Sequence, residues 1–228
     1  MSVAIVTGAS RGLGLALTRQ LAGDGWSVVI DARAADDLVD AVSPLGSGVV
    51  AIPGDVSDPA HRHDLVDEAQ RRGGIDLLVN NASLLGPSPQ PPLAGYPLDV
   101  LRRVYEVNVF APLALTQACL HLLGEGGGTV INVTSDAAVE GYEGWGGYGS
   151  SKAALEQVSR ILAAEHPGLS VYWVDPGDMN TRMHQEAFPG EDISDRPPPE
   201  ESVPGLMRLI IERPPSGRYR VADLGAAA

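Results

Sequence analysis

Tyr148 and Lys152 stand four residues apart, and Ser135 lies thirteen residues before the tyrosine. On a helix, four-residue spacing puts two side chains on one face, with Cβ atoms about 5–6 Å apart. A lysine ammonium beside a phenol favours the phenolate, so the pair predicts a tyrosine whose pKa falls below its usual ~10. Such a tyrosine suits general acid–base work, because proton transfer is most efficient when the pKa lies near the operating pH. The serine follows an apolar run, Thr129-Val130-Ile131-Asn132-Val133, that reads as a buried strand. Its hydroxyl then falls at the strand's carboxyl end, where open α/β sheets bind ligands.

A second group of residues could bind phosphate. Val3 to Val6 reads as a strand, Thr7-Gly8-Ala9-Ser10-Arg11-Gly12-Leu13-Gly14 as a turn, and the pattern through Leu17 and Leu21 as a helix. Glycine allows the tight turn and a close backbone approach, and the helix N-terminus offers free N–H groups to a pyrophosphate. The Gly-x-x-x-Gly-x-Gly spacing departs from the Gly-x-Gly-x-x-Gly dinucleotide fingerprint, but the strand–turn–helix context is the same.

These residues need a scaffold, and the remaining chain reads as one. Gly25 to Ile30 is a strand ending in Asp31-Ala32-Arg33, followed by a helix over Ala35–Val42 and a strand at Val49–Ile52 leading to Asp55-Val56. Ser57-Asp58-Pro59 starts a helix that runs to about Arg72 and stops at Gly73-Gly74. Ile75–Val79 is the fourth strand, ending in Asn80-Asn81-Ala82-Ser83, and the proline-rich Gly86–Pro97 reads as a surface loop beside a binding site. Asp99–Leu123 is helical with a break near Asn108 or Pro112, and Gly126-Gly127-Gly128 leads into the fifth strand. The Tyr148 helix continues to about Glu165, Ser170–Val174 is a sixth strand, and Asp175-Pro176-Gly177 follows it. His184–Glu201, rich in proline and acidic residues, reads as a mobile loop and a lid over the site. Val203–Ile211 is a helix and Arg218–Val221 a last strand. Seven strand signals alternating with helices predict an α/β fold with a parallel sheet covered on both faces, in one domain over residues 1–228.

Composition narrows the partners. A formal charge of −13 argues against nucleic acid and anionic membranes. The single cysteine, Cys119, excludes an internal disulfide and reads as a core residue. The chain passes from Met1 into a strand without a basic leader, and the apolar region Val107–Leu123 is interrupted by polar residues and Pro112. A soluble, cytoplasmic protein is expected. The five histidines show no metal-ligand spacing.

The glycine turn, Asp55-Val56, Asn80-Asn81-Ala82, Asn108, Ser135, Tyr148/Lys152 and Pro176-Gly177, in this order, resemble the short-chain dehydrogenase/reductase family over nearly the whole chain. The resemblance implies a doubly wound Rossmann domain with seven parallel strands and a catalytic set of Asn108, Ser135, Tyr148 and Lys152. Tyr148 would exchange a proton with a substrate oxygen, and Ser135 would hydrogen-bond that oxygen. Lys152 would lower the Tyr148 pKa and hold the nicotinamide ribose, while Asn108 would position a water linking Lys152 to solvent. The implied cofactor contacts are Gly8, Ser10, Arg11, Gly12, Leu13 and Gly14 in the turn, then Arg33, Asp55 at the adenine, Val56, Asn81 and Ala82. Pro176, Gly177 and Thr181 would complete them at the nicotinamide, with Tyr148 and Lys152. Ser83 departs from the family's usual glycine. Asp136, Glu140, Glu143 and Asp178 make the site acidic, as a solvated rim or as selectors of a cationic or hydroxyl-rich substrate.

The expected activity is hydride transfer between NADP(H) and a small-molecule carbonyl or secondary alcohol. An epimerase or dehydratase, or an NADP-sensing regulator on the same fold, is the alternative. NADP is expected over NAD because Ala32 stands where NAD-preferring relatives carry an acid, with Arg33 next to it and Arg11 nearby. Asp31 would favour NAD if it reached the ribose. Val109, Phe110, Leu113, Leu115, Leu120, Leu122 and Leu123 exceed one buried helix face, so a homodimer or homotetramer is expected.

Overall fold

The short apolar runs become strands buried on both faces, which is why they read as near-continuous rather than alternating. A computed structural model describes residues 1–123 and 127–225, so Gly126 lies outside the described residues. The first half contains β1 (Val3–Val6), α1 (Gly12–Gly23), β2 (Ser27–Ala32), α2 (Ala35–Val42), β3 (Val49–Pro53), α3 (Pro59–Arg71) and β4 (Leu77–Asn80). After the proline-rich loop come α4 (Leu98–Tyr105), α5 (Ala111–Leu123), β5 (Thr129–Val133), α6 (Gly146–Glu165) and β6 (Ser170–Asp175). The chain then forms α7 (Arg182–Ala187), α8 (Val203–Glu212), β7 (Gly217–Arg220) and α9 (Val221–Leu224).

All neighbouring strands pair in parallel, in the spatial order β3-β2-β1-β4-β5-β6-β7. The two-residue period of a strand divides the core. Ala4, Val6, Val28 and Ile30 face one layer with Leu17 and Leu21 of α1 and Leu206 of α8. Val3, Ile5, Val29 and Val130 face the other with Leu65 of α3, Leu115 of α5 and Leu162 of α6. Cys119 belongs to this second layer, where burial pushes its thiol up to about 12. The winding reverses between β1 and β4, and the space above their carboxyl ends is where such sheets bind ligands.

The interruption in the long helix lies at Asn108 and not at Pro112: Glu106–Phe110 form a wide π turn. Pro112 falls in the first turn of α5, where a missing N–H is tolerated. The run Leu98–Leu123 is long and apolar enough to cross a membrane by length and composition, but half of it is buried, and it packs on α3, α6, β4 and β5 as a core helix does.

His184–Glu201 is not structureless. Its start lies inside α7, which the Thr181 hydroxyl caps by accepting from the His184 N–H at 3.3 Å. Ile193 is buried, and Asn180 N–H donates to the Pro197 carbonyl at 2.8 Å. Asp178 lies 3.8 Å from both His184 Nδ1 and Arg196 Nε. The order comes from groups mostly outside the segment, so its own composition understates it.

Among the apolar residues expected to exceed one face, Val109, Leu115 and Leu123 are consumed by the chain's own core. Phe110 stays 53% exposed, and Ile161 of α6 stays 47% exposed.

Candidate active site

At the reversal point the turn after β1 and the loop after β4 are stitched together. The Thr7 hydroxyl accepts from the N–H groups of Asn81 and Ala82, each at 3.0 Å. The Asn81 amide donates back to the carbonyls of Thr7 (2.8 Å) and Gly8 (3.1 Å). Only glycine fits here. A Cβ on Gly8, whose φ is +66°, would lie 2.8 Å from Ala82 Cα, and one on Gly14 would lie 2.6 Å from Asn81 Nδ2. No side chain caps the N-terminus of α1, so its first N–H groups remain for an anionic ligand.

Above this joint runs one cavity of about 840 Å³. Of the expected contacts, Gly8, Ser10, Arg11, Gly12, Leu13, Arg33, Asp55, Val56, Asn81 and Ala82 line it, as do Ser135, Tyr148, Lys152, Pro176, Gly177 and Thr181. Gly14 and Asn108 do not: the first packs behind the turn, the second beneath the loop after β4.

The adenosine end differs from expectation in its partners. Asp31 accepts from Gly8 N–H at 2.7 Å and pairs with His61 Nε2 at 3.0 Å, and both side chains are buried. Its carboxylate braces the glycine turn. Arg11 is held by Asp37 at 2.7 Å, while Arg33 makes no hydrogen bond or ion pair among the described residues. At Asp55, partial burial acts to raise the carboxyl, but bonds from Ser57 N–H (2.9 Å) and Oγ (2.7 Å) and the Arg103 guanidinium outweigh it, holding it below the ordinary carboxylate range. Val56 packs on Val107 and Ala111.

At the other end, α6 presents Tyr148 and Lys152 one turn apart, with Nζ 5.5 Å from the phenol ring centre. The ammonium donates to the Val133 carbonyl at 2.7 Å and is 2% exposed. Burial drops Lys152 to about 7. Tyr148 is moved up, not down: burial dominates, the Asp175 and Asp136 carboxylates add to it, and the Ser83 and Ser135 hydroxyls only partly oppose it. The lysine does not lower the tyrosine here because its own charge is disfavoured by the same dry surroundings.

Ser135 Oγ donates to Asp136 Oδ1 at 2.8 Å, and Tyr142 donates to the other oxygen at 2.9 Å. Asp136 and Asp178 line the cavity, whereas Glu140 and Glu143 are exposed outside it. The Asn108 amide is fully engaged: Oδ1 accepts from Leu84 N–H (2.8 Å) and Ser83 Oγ (3.3 Å), and Nδ2 donates to the Leu84 carbonyl (2.9 Å) and Ser151 Oγ (3.0 Å). Its side chain therefore clamps the loop to α6. Trp145 stacks edge-on against Tyr148 (5.8 Å), with Phe188 beyond it (5.9 Å), and Leu85, Met183 and Ala187 complete an apolar wall.

Sequence reasoning missed His61, Arg103 and Arg218, which reach the site from α3, α4 and β7. None sits in a motif, and no local spacing links them to their carboxylates.

Burial of the pair makes stability depend on pH. Lys152 has a folded pKa of about 7 against an ordinary 10.5, so in that window the unfolded chain holds a proton that the folded chain lacks. Its destabilising contribution is complete below the folded value and is relieved as pH rises to the unfolded one. Tyr148 works in reverse, losing stability as pH rises above its ordinary 10.0. Urea unfolding of the protein and of Lys152→Met should show wild type gaining on the variant by about 3–5 kcal/mol across that window, most of it by about pH 9.5. A difference that does not change with pH would contradict the burial argument.

Residues 2–192 match the short chain dehydrogenase family. A short chain dehydrogenase of Emericella nidulans is 39% identical over 172 residues, a match that spans 71% of this chain and 64% of that protein's own length. Sepiapterin reductase of Mus musculus is 33% identical over 82% of this chain and 77% of that one. The alcohol dehydrogenase of Thermococcus sibiricus, solved with 5-hydroxy-NADP, superposes with a TM-score of 0.82 at 28% identity, over 96% of this chain and 94% of the other. Agreement in sequence along most of the chain, on the same doubly wound sheet, makes this protein a member of the short-chain dehydrogenase/reductase family and an NAD(P)-dependent oxidoreductase.

Proposed function

We propose that the protein interconverts a carbonyl compound and a secondary alcohol with NADP(H), using Tyr148 as the general acid and base. The observation that carries this reading is that Tyr148, Lys152 and Ser135 open into the same cavity as the uncapped glycine turn. The turn fits a pyrophosphate, since its glycines leave no room for side chains and its N–H groups lack a cap. When bound, the nicotinamide supplies or accepts the hydride.

The chain's own groups handle the proton. Burial keeps the Tyr148 hydroxyl protonated, ready to donate to a carbonyl oxygen. Ser135 turns its hydroxyl from Asp136 to the same oxygen and stabilises the charge that develops there. Lys152, near neutrality at about 7, passes a proton towards the tyrosine and holds the ribose beside it. Asn108 fixes the loop after β4 against Ser151, next to the lysine. The wall of Trp145, Phe188 and Met183 keeps water from the reacting atoms.

NADP preference rests on three side chains. Asp31 is occupied by Gly8 and His61, so it does not compete for the ribose hydroxyls, and Arg33 stands free at the cavity for a 2′-phosphate. Arg11 must leave Asp37 to assist. A homodimer or homotetramer belongs to the same reading, supported by exposed Phe110 and Ile161. A cytoplasmic setting accords with the lone buried thiol.

Tyr148→Phe should leave NADPH affinity within about twofold and lower kcat by about 10²–10⁴-fold, the usual worth of a general acid; wild-type turnover in the variant would remove the assignment. Arg33→Ala should weaken NADPH binding about tenfold or more, the loss of one charge-assisted bond, and leave NADH binding unchanged. Isothermal titration decides this, and equal losses for both cofactors would count against the 2′-phosphate contact. Light scattering at micromolar concentration should report at least a dimer, and a monomer would end the oligomer proposal.

A further inference from the structure

A largely buried ionic cluster lies directly behind Ser135, and of its charged members only Asp175 lines the cavity. Arg218, on the last strand, donates from Nε to Glu156 Oε1 at 2.9 Å and from Nη2 to the Ser135 carbonyl at 3.2 Å and Asp175 Oδ2 at 3.4 Å. Glu156, also buried, accepts from the Thr134 hydroxyl at 3.0 Å and lies 3.7 Å from Arg160. The other oxygen of Asp175 receives Gly177 N–H at 3.0 Å. One guanidinium therefore joins the carboxyl ends of β5 and β6 to α6, and Glu156 stands one helical turn beyond Lys152.

We propose that Arg218 is a positioning residue for Ser135, holding the serine backbone so that its hydroxyl meets a substrate oxygen at the correct angle; this rests on the reading that Ser135 binds that oxygen. Apart from its hydroxyl's contact with Tyr148 on α6, the remaining hydrogen bonds of Ser135 are local and would move with it. Its Oγ bonds to its own neighbours Asp136 and Ala137, and its carbonyl receives Ala138 N–H at 3.1 Å. Arg218 is the contact that connects this short turn to the strands on its far side. A planar guanidinium can reach three acceptors in fixed directions, whereas an ammonium on a flexible stem cannot hold the same fork. The chemistry of the cluster explains its charge: two buried carboxylates beside the reaction centre would be intolerable without a cation between them.

Two variants test this. Arg218→Lys keeps the charge and loses the fork. Arg218→Met combined with Glu156→Gln removes one charge of each sign, so that no glutamate is orphaned and Asp175 alone remains charged, held by the Gly177 N–H. In both, NADPH affinity should stay within about twofold and substrate KM should change little, while kcat falls about tenfold to a hundredfold, the effect of a small misplacement at the reacting centre. Amide hydrogen exchange of Ala137, Ala138 and Val139 should accelerate, with the Gly8–Gly14 turn unchanged. Wild-type kcat and unchanged exchange in these variants would overturn the proposal. Parallel losses of kcat and NADPH affinity would also overturn it, because they indicate general loosening. Should the wild-type protein reduce no carbonyl compound with NADPH, the activity reading falls, and exchange over Ala137 to Val139 still decides the Arg218 contact: acceleration upholds it and no change refutes it.

Discussion

The site depends on the joint between Thr7 and Asn81. A parallel sheet whose winding reverses between β1 and β4 leaves a cleft there, and a cleft is where two halves can separate. One hydroxyl that accepts two N–H groups, and one amide that donates to two carbonyls, close the cleft at its floor. The closure forces Gly8 and Gly14 to be glycine, since a methyl on either would strike Ala82 or Asn81. The same bareness exposes the start of α1 to a ligand. The seam between the two halves of the sheet and the uncapped start of α1 thus share one set of hydrogen bonds.

Burial sets the electrostatics at the opposite end. Lys152 and Tyr148 are both drawn towards their neutral forms, because desolvation penalises an ammonium and a phenolate alike. A helix spacing of four residues brings the two side chains together but does not dictate which way a proton equilibrium moves. That direction depends on burial by the packed fold, to which Asp175 and Asp136 add at the tyrosine. The tyrosine leans to the acid form, and a bound ligand must supply the charge that changes it.

The fold was legible because its signals are local and repeated. Strand ends, the glycine turn and the Tyr148 helix all follow from apolar period and punctuation by glycine and proline. The cavity also gathered nearly all the residues that the motifs named. What the sequence could not yield depends on packing. Asn108 was visible, but its commitment to Leu84 and Ser151 was not, because it needs the π turn to face it inward. His184–Glu201 looked unstructured from composition, yet Thr181 and Asp178 supply its anchors from outside. The apolar surplus of α5 was overstated, since Leu115 and Leu123 are needed to cover the sheet.

The largest gap between pattern and structure lies in the carboxylates at the strand ends. Asp31, Asp55 and Asp175 occur where ligands bind, and a sequence invites reading each as a ligand contact. Each also meets a basic side chain from a distant element: His61 of α3, Arg103 of α4 and Arg218 of β7. A carboxylate in a partly dry cleft needs such a partner, or its charge would be expelled by a shifted pKa. Once paired, it becomes part of the frame, and the field that a cofactor meets is set by what remains unpaired. At the end of β2 that residue is Arg33, not Asp31. A chain carrying thirteen more acids than bases can therefore leave one arginine open at the cavity, provided the acids beside it are answered first.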